Sequence, residues 1–493
     1  MTTLNQQATL AVNALAKQIK NRYYPAYHLA APAGWINDPN GLIYINGVYH
    51  AFYQHYPYSE ERGPMHWGHA ISKDLIHWVH QPVALCPGDE FDKDGCFSGS
   101  AVNDNGVLTL IYTGHNIVKE TADERVIYQV QCMATSKDGI NFEKHGVVLT
   151  PPEGIMHFRD PKVWKEDNIW KMVIGVRDKN DVGQVYLYSS PDLRNWTFEQ
   201  VLAKAKNNQG YMWECPDYIK IGNKSILVFS PQGIEPDGFS YNNQYQSGYI
   251  VGHEQTDAKG KTQFIIDQDF VEMDFGHDFY ASQSFYGTGN RKILMAWLDM
   301  WLSPMPEKAD HWAGCFTLPR EMTLTPQGKV KINPIKELAC LREKPTSIQH
   351  ISIDSRELDT SIETNQCELI LEVDVTKNRA ERYGLIVSRS ADKKEGLLLY
   401  IDNQSKRLCL DRSGSGKGVK GVRSMPLPEH QKLILHIFVD HSSIEVFVNN
   451  GDFSFSSRFY PNSEQRYLTF FAENGHASFD EFTCWQLKSA WPF

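Results

Sequence analysis

Three short segments combine a carboxylate with residues that stiffen the backbone or crowd it: Trp35-Ile36-Asn37-Asp38-Pro39-Asn40-Gly41, Arg159-Asp160-Pro161 and Trp213-Glu214-Cys215-Pro216-Asp217. Pro39 restricts φ beside Asp38, and Gly41 permits a close approach of the chain. The same Asn-Asp-Pro-Asn-Gly run reads equally as an ordinary turn, and Arg159-Asp160 reads equally as a structural ion pair. Glu214, between Trp213 and Cys215, stands among bulky, weakly polar neighbours. Such surroundings disfavour the charged form and suit a general acid. A site that binds many sugar hydroxyls also needs fixed acceptors, such as Asp160, that grip more strongly as a ring reacts; on the residues alone, catalytic and ordinary turn or ion-pair roles both stay open.

Carboxylates this far apart in sequence can meet only if repeated elements converge, and a two-strand unit recurs five times. Its first members are NDPNGLIYI at 37–45, CFSGSAV at 96–102, RDPKVW at 159–164, ECPDYIKI at 214–221 and YASQSFY at 280–286. Each is followed, after a Gly-, Asn- or Asp-rich turn, by an apolar run, and Asn46-Gly47 and Asn105-Gly106 are strong hairpin turns. Three further segments share a pattern ending in an aromatic: Ser72–Trp78, Ser136–Phe142 and Ser190–Trp196. Repeated hairpins at comparable intervals predict the blades of a propeller, whose inner strands line a central channel and bring Asp38, Asp160 and Glu214 together. The competing architecture is one large sandwich with coincidentally similar turns.

The remaining elements divide the chain. Residues 4–20 carry an amphipathic helical pattern. From about 335 the pattern changes to a short helical connector within KINPIKELACLREKP, then to strands such as 433–440 and 443–448, with a Gly-rich loop at 412–421. The predicted architecture is all-β: a helical extension over 1–25, a five-bladed propeller over 26–335, a linker over 336–350 and a β-sandwich over 351–493. A net charge of -10 gives no support to nucleic-acid or anionic-membrane partners. The first residues lack a basic segment followed by an apolar run, which predicts a cytoplasmic protein. Nine scattered cysteines without a CxxC pair read as reduced thiols rather than zinc ligands.

WINDPNG, RDP and ECPD, in this order, resemble the signature segments of glycoside hydrolase family 32, the invertase and β-fructofuranosidase family. Gly63–His69, Phe97-Ser98-Gly99-Ser100 and Asp278-Phe279-Tyr280-Ala281-Ser282-Gln283 look like its substrate-pocket segments. The resemblance runs through essentially the whole chain and includes the propeller and sandwich. It implies Asp38 as nucleophile, Glu214 as acid/base and Asp160 as transition-state stabiliser, with no metal or other cofactor. Asn37, Gln54, Trp67, Phe97, Ser98, Arg159 and Tyr280 are the candidate substrate contacts, with Trp67 facing a sugar ring and Arg159 orienting Asp160. The implied substrates are sucrose, sucrose 6-phosphate or short fructo-oligosaccharides. Two alternatives stay open: an exo-acting fructan hydrolase, and a sugar-binding protein without catalysis.

Overall fold

The computed structural model describes residues 2–122, 124–258, 262–428 and 431–491. Among these, strands gather into seven sheets: five that radiate as blades and two that face each other. The innermost strands of blades I to V are Gly34–Ile45, Gly95–Asp104, His157–Glu166, Met212–Ile221 and Tyr280–Ser284. All five recurring units of the sequence therefore open a blade, and each apolar run that follows is the blade's second strand. Among the described residues the chain is all-β apart from one helix and short 3-10 segments, as predicted.

The inner strands share an irregularity that regular alternation does not produce. Near the start of each one, pairing with the second strand slips by one residue: between Ile36 and Pro39, Phe97 and Gly99, Arg159 and Lys162, Glu214 and Asp217, and Tyr280 and Gln283. Three non-glycine residues in these bulges adopt positive φ, Asp160 at 65°, Cys215 at 48° and Ala281 at 55°. A bulge bends its strand and re-aims side chains. Here all five lie at one end of the channel.

The related Ser-x-Asp segments form the turns before the fourth strands of blades I to III. Asp74, Asp138 and Asp192 each accept two backbone N–H groups of the turn, and Ser72, Ser136 and Ser190 donate to the same carboxylates. Ring closure uses a segment from the far end of the propeller. Trp312–Ala313, between the second and third strands of blade V, leaves that blade and pairs in parallel with Gly34 and Trp35 of blade I.

The helix covers Leu4–Ala16, shorter than the 4–20 pattern, and opens with a Thr3–Gln6 capping box. Asn5 ties it to the carbonyls of Val83 and Ala84. Its buried positions are Ala8 and Val12, so nothing on a later turn anchors a continuation. Within the expected helical connector, Val330–Pro334 is instead the outer strand of blade V, and only Lys336–Leu341 is helical, as a 3-10 turn. The Gly-rich loop at 412–421 is irregular yet pinned, with Lys417 N–H on the Tyr460 carbonyl, Gly421 O against His277, and the Arg412 side chain on Asp278.

The sandwich consists of two six-stranded sheets that enclose one apolar core. Within their sheet, the strands Lys432–Asp440 and Ser443–Val448 are covered on both faces. Ile437, Val439, Ile444 and Val446 enter the sandwich core, while Phe438 and Phe447 point the other way, into a cluster with Ile293, Met295 and Phe316 of blade V. That explains why these strands read as unbroken apolar runs. Polar residues at the same junction are paired. His28 lies between Asp440 at 2.7 Å and Glu445 at 2.8 Å, and Arg320 spans Glu445 at 2.5 Å and Asp274 at 3.0 Å. Among the described residues, no helix is long and apolar enough to cross a membrane.

Candidate active site

The bulged ends of the inner strands bring the three carboxylates into one cavity. Asp38 and Asp160 sit within their bulges, and Glu214 immediately precedes one. Cys215 connects the group: its Sγ is 3.5 Å from Asp38 Oδ2 and 3.7 Å from Asp160 Oδ2, and its backbone N–H donates to Asp160 Oδ2 at 2.9 Å. The left-handed backbone at Cys215 aims that N–H at a carboxylate of the neighbouring blade. Burial, then the charges of Asp38 and Asp160, push the Cys215 thiol well up, so it stays an S–H donor.

Asp38 is held by two donors that are themselves oriented. Trp35 Nε1 donates to Asn37 Oδ1 at 2.7 Å, which turns the Asn37 amide nitrogen towards Asp38 Oδ1 at 3.0 Å. Ser98 donates to Asp38 Oδ2 at 2.7 Å. Behind Ser98, the Asn40 amide takes the orientation in which its nitrogen donates to Ser98 Oγ at 3.2 Å and its oxygen accepts from Gln54 Nε2 at 2.8 Å. Gln54 also donates to the Cys96 carbonyl at 2.9 Å. These fixed donors favour the anion. Burial and the charge of Glu214 act in the opposite sense, and the Asp38 carboxyl stands above the usual aspartate range.

Glu214 has both oxygens engaged. Arg159 donates to Oε1 through both Nε at 3.0 Å and Nη2 at 2.8 Å, two charge-assisted bonds on one oxygen. Gln232 donates to Oε2 at 2.8 Å, and the Tyr280 hydroxyl donates to the same oxygen. Burial, followed by the charge of Glu214, raises the Tyr280 phenol well above its ordinary value and keeps it a donor. Arg159 lies 4.0 Å from Asp160, so its main grip is on Glu214 rather than on its sequence neighbour. Asp160 is shifted upward, first by burial and then by Glu214 and Asp38, against the pull of Arg159. Asp38 and Asp160 are thus both raised, chiefly by burial, with the charge of Glu214 acting on each.

The other candidate contacts divide between pocket and wall. Phe97 is partly exposed, its ring stacked on His115 at 4.0 Å. Trp67, expected to face a sugar, is fully enclosed: it packs against Phe52 and Tyr112, and its indole N–H donates to the Phe97 carbonyl at 3.0 Å. It shapes the wall from behind. Gln54 is likewise buried and acts through Asn40. Residues that sequence reasoning did not single out complete the site: Asn40, Cys215 and Gln232, with Trp301 stacked on Trp35 at 6.0 Å and Arg62 over the rings of Phe97 and Trp301. Asn40 and Cys215 lay inside quoted motifs. Gln232 and Trp301 carry no local signal.

Comparison with known proteins places the chain in a family. Residues 28–334 match the N-terminal domain of glycosyl hydrolases family 32, and 337–486 match its C-terminal domain. A sucrose-6-phosphate hydrolase of Escherichia coli is 51% identical over 480 residues, covering 97% of this chain and 98% of that protein. A raffinose invertase of Escherichia coli is 49% identical, covering 98% and 100%. Among solved structures, a Bombyx mori GH32 β-fructofuranosidase superposes with a TM-score of 0.86 at 34% identity, over 99% of each chain. An exo-inulinase from Aspergillus awamori gives 0.81 at 26% identity, over 95% of this chain and 99% of that one. With both halves of the family matched in order along one chain, this protein belongs to glycoside hydrolase family 32.

Proposed function

We propose that the protein is a retaining β-fructofuranosidase that cleaves the terminal fructosyl unit of sucrose or sucrose 6-phosphate. The observation that carries this reading is the meeting of Asp38 and Glu214 from separate blades, linked through Cys215, with opposite hydrogen-bond environments. Asp38 is surrounded by neutral donors that leave it poised to attack. Glu214 is oriented through both oxygens by Arg159, Gln232 and Tyr280.

In the proposed reaction Asp38 attacks the anomeric carbon of the fructosyl unit while the bond to the leaving oxygen breaks and Glu214 gives that oxygen a proton. The oxocarbenium-like state collapses to a fructosyl ester on Asp38. Glu214 then removes a proton from water, the water oxygen displaces Asp38, and fructose leaves with its configuration retained. Asp160 accepts ring hydroxyls and interacts most strongly as positive charge develops. Arg159 remains a cation, because Glu214 and Asp160 outweigh the cost of its burial. The catalytic unit is residues 26–335, supported by the sandwich at 351–493.

Fructose release from sucrose by wild type, Asp38→Asn and Glu214→Gln tests the roles. Each substitution is expected to lower kcat by at least about 1,000-fold, with NMR of the wild-type product showing retention. Near-normal turnover by Asp38→Asn would remove it as nucleophile. Sugar binding without release by the wild type would identify a binding protein instead. Inulin turnover equal to or above that of sucrose would favour the fructan reading.

A further inference from the structure

Three consecutive charged residues, Glu60, Glu61 and Arg62, lead into the pocket wall, and only two have charged partners. Glu60 faces His311 at 3.7 Å and Glu61 holds Lys308 at 2.6 Å, so both carboxylates turn towards the short 3-10 segment Pro306–Asp310 and its cap. Arg62 turns the other way. Its guanidinium stands 5.5 Å from the ring centroids of both Phe97 and Trp301. Among the described residues it has no hydrogen bond and no carboxylate within ion-pair distance. Two aromatic rings within cation–π reach restrict the guanidinium while its N–H groups remain unused.

The position matters as much as the vacancy. Phe97, beneath Arg62, is followed by Ser98, which donates to Asp38. Arg62 itself is solvent-accessible. It thus stands at the mouth, one dipeptide removed from the attacking carboxylate. A fructoside attacked by Asp38 and protonated by Glu214 must point its leaving sugar towards that mouth. The interior cannot welcome an anionic leaving sugar, because it holds three carboxyl groups and Arg159 is committed to Glu214. The charges that act on Arg62 are first those of Asp38 and Glu214, then those of Arg125, which pairs with Glu120 at 3.5 Å, and Arg159.

We propose that Arg62 is the phosphate-recognition residue of this site, its clamped guanidinium donating two N–H groups to the phosphate monoester of a phosphorylated leaving sugar. This rests on the fructosidase reading above for the direction in which that sugar points. The planar fork matches phosphate oxygens, and the charge offsets the repulsion a dianion meets at a carboxylate-lined pocket.

The test compares kcat/KM for sucrose and sucrose 6-phosphate in wild type, Arg62→Met and Arg62→Lys, alongside calorimetric binding of glucose and glucose 6-phosphate. In Arg62→Met the ratio of phosphorylated to unphosphorylated kcat/KM is expected to fall about 10- to 100-fold, mainly through KM. Arg62→Lys should recover part of it, since it keeps the charge and loses the fork. Glucose 6-phosphate should bind the wild type more tightly than glucose does, and that advantage should shrink in Arg62→Met. An unchanged ratio, an equal loss on both substrates, or equal affinity of the wild type for the two glucoses overturns the assignment. If the wild type hydrolyses neither fructoside yet glucose 6-phosphate binding still depends on Arg62, the fructosidase reading fails and the phosphate site stands.

Discussion

In the proposed reaction Asp38 must be an anion while Glu214 brings a proton, although the two stand close enough for the charge of Glu214 to act on Asp38. Ser98 and Asn37 stabilise the Asp38 anion; burial and the charge of Glu214 oppose it, with the net displacement upward. The acid limb of kcat/KM should therefore lie above the ordinary aspartate value of about 3.9. Glu214→Gln removes one opposing charge, so its acid limb should move to lower pH. Fructosyl fluoride, whose leaving group needs no acid, allows that profile to be measured; a limb that stays put or rises would contradict the coupling. The acidic members of this constellation are legible in sequence because Asp38, Asp160 and Glu214 lie in compact motifs. Their controls are not. Asn40 acts on Asp38 only through Ser98 from another blade, Gln232 reaches Glu214 from the next strand, and Trp67 is enclosed by residues distant in sequence. Such relations exist only after strands pair and blades pack.

At the scale of the element, the repeated hairpins show where inner strands begin, but hydrophobic alternation carries no mark of the one-residue slips that aim the site. The bulges depend on close contact between neighbouring blades. Gly175, opposite Arg159 on the second strand of blade III, is one such contact: an added Cβ would stand 2.2 Å from the Trp213 carbonyl. That carbonyl belongs to the residue before Glu214 and cannot yield like the end of a flexible side chain. Gly175→Ala is expected to destabilise the fold by about 1–3 kcal/mol, as overpacking does, and to lower kcat by displacing Glu214. Urea unfolding and sucrose kinetics measure the two effects. A variant with wild-type stability and rate would show that blades III and IV adjust freely. The helix ends at Ala16, before its amphipathic pattern does: residues beyond it keep a helix-compatible composition, but only Ala8 and Val12 of the helix are buried.

Across the whole molecule, the leading segment, propeller and sandwich meet at His28, Asp440, Glu445 and Arg320. Burial alone would lower the His28 pKa, but its hydrogen bonds to the Asp440 and Glu445 carboxylates, with their charges, outweigh it and raise the value to about 9. A folded-state value above the unfolded one of about 6.5 contributes stability that is complete below pH 6.5 and lost as pH rises through 9. The expected loss is roughly 3 kcal/mol. It should appear as a falling unfolding free energy between pH 6.5 and 9.5 in wild type and be much reduced in His28→Asn. Parallel curves for the two proteins would exclude His28 as the titrating group. Asp440 is shifted downward, with hydrogen bonding and charge from His28 overcoming burial, so its contribution is instead lost in acid. The sequence shows a second β unit after the propeller, yet no local pattern announces that His28 bonds with residues more than 400 positions later. Ring closure has the same long reach: Gly34 and Trp35 receive their parallel neighbour only from Trp312–Ala313. During synthesis, a nascent chain that has completed four blades still carries an open strand edge on its first, available to any other extended segment. Arrest before residue 312 should leave an aggregation-prone intermediate, while a slightly longer chain can cover that edge with its own closing strand.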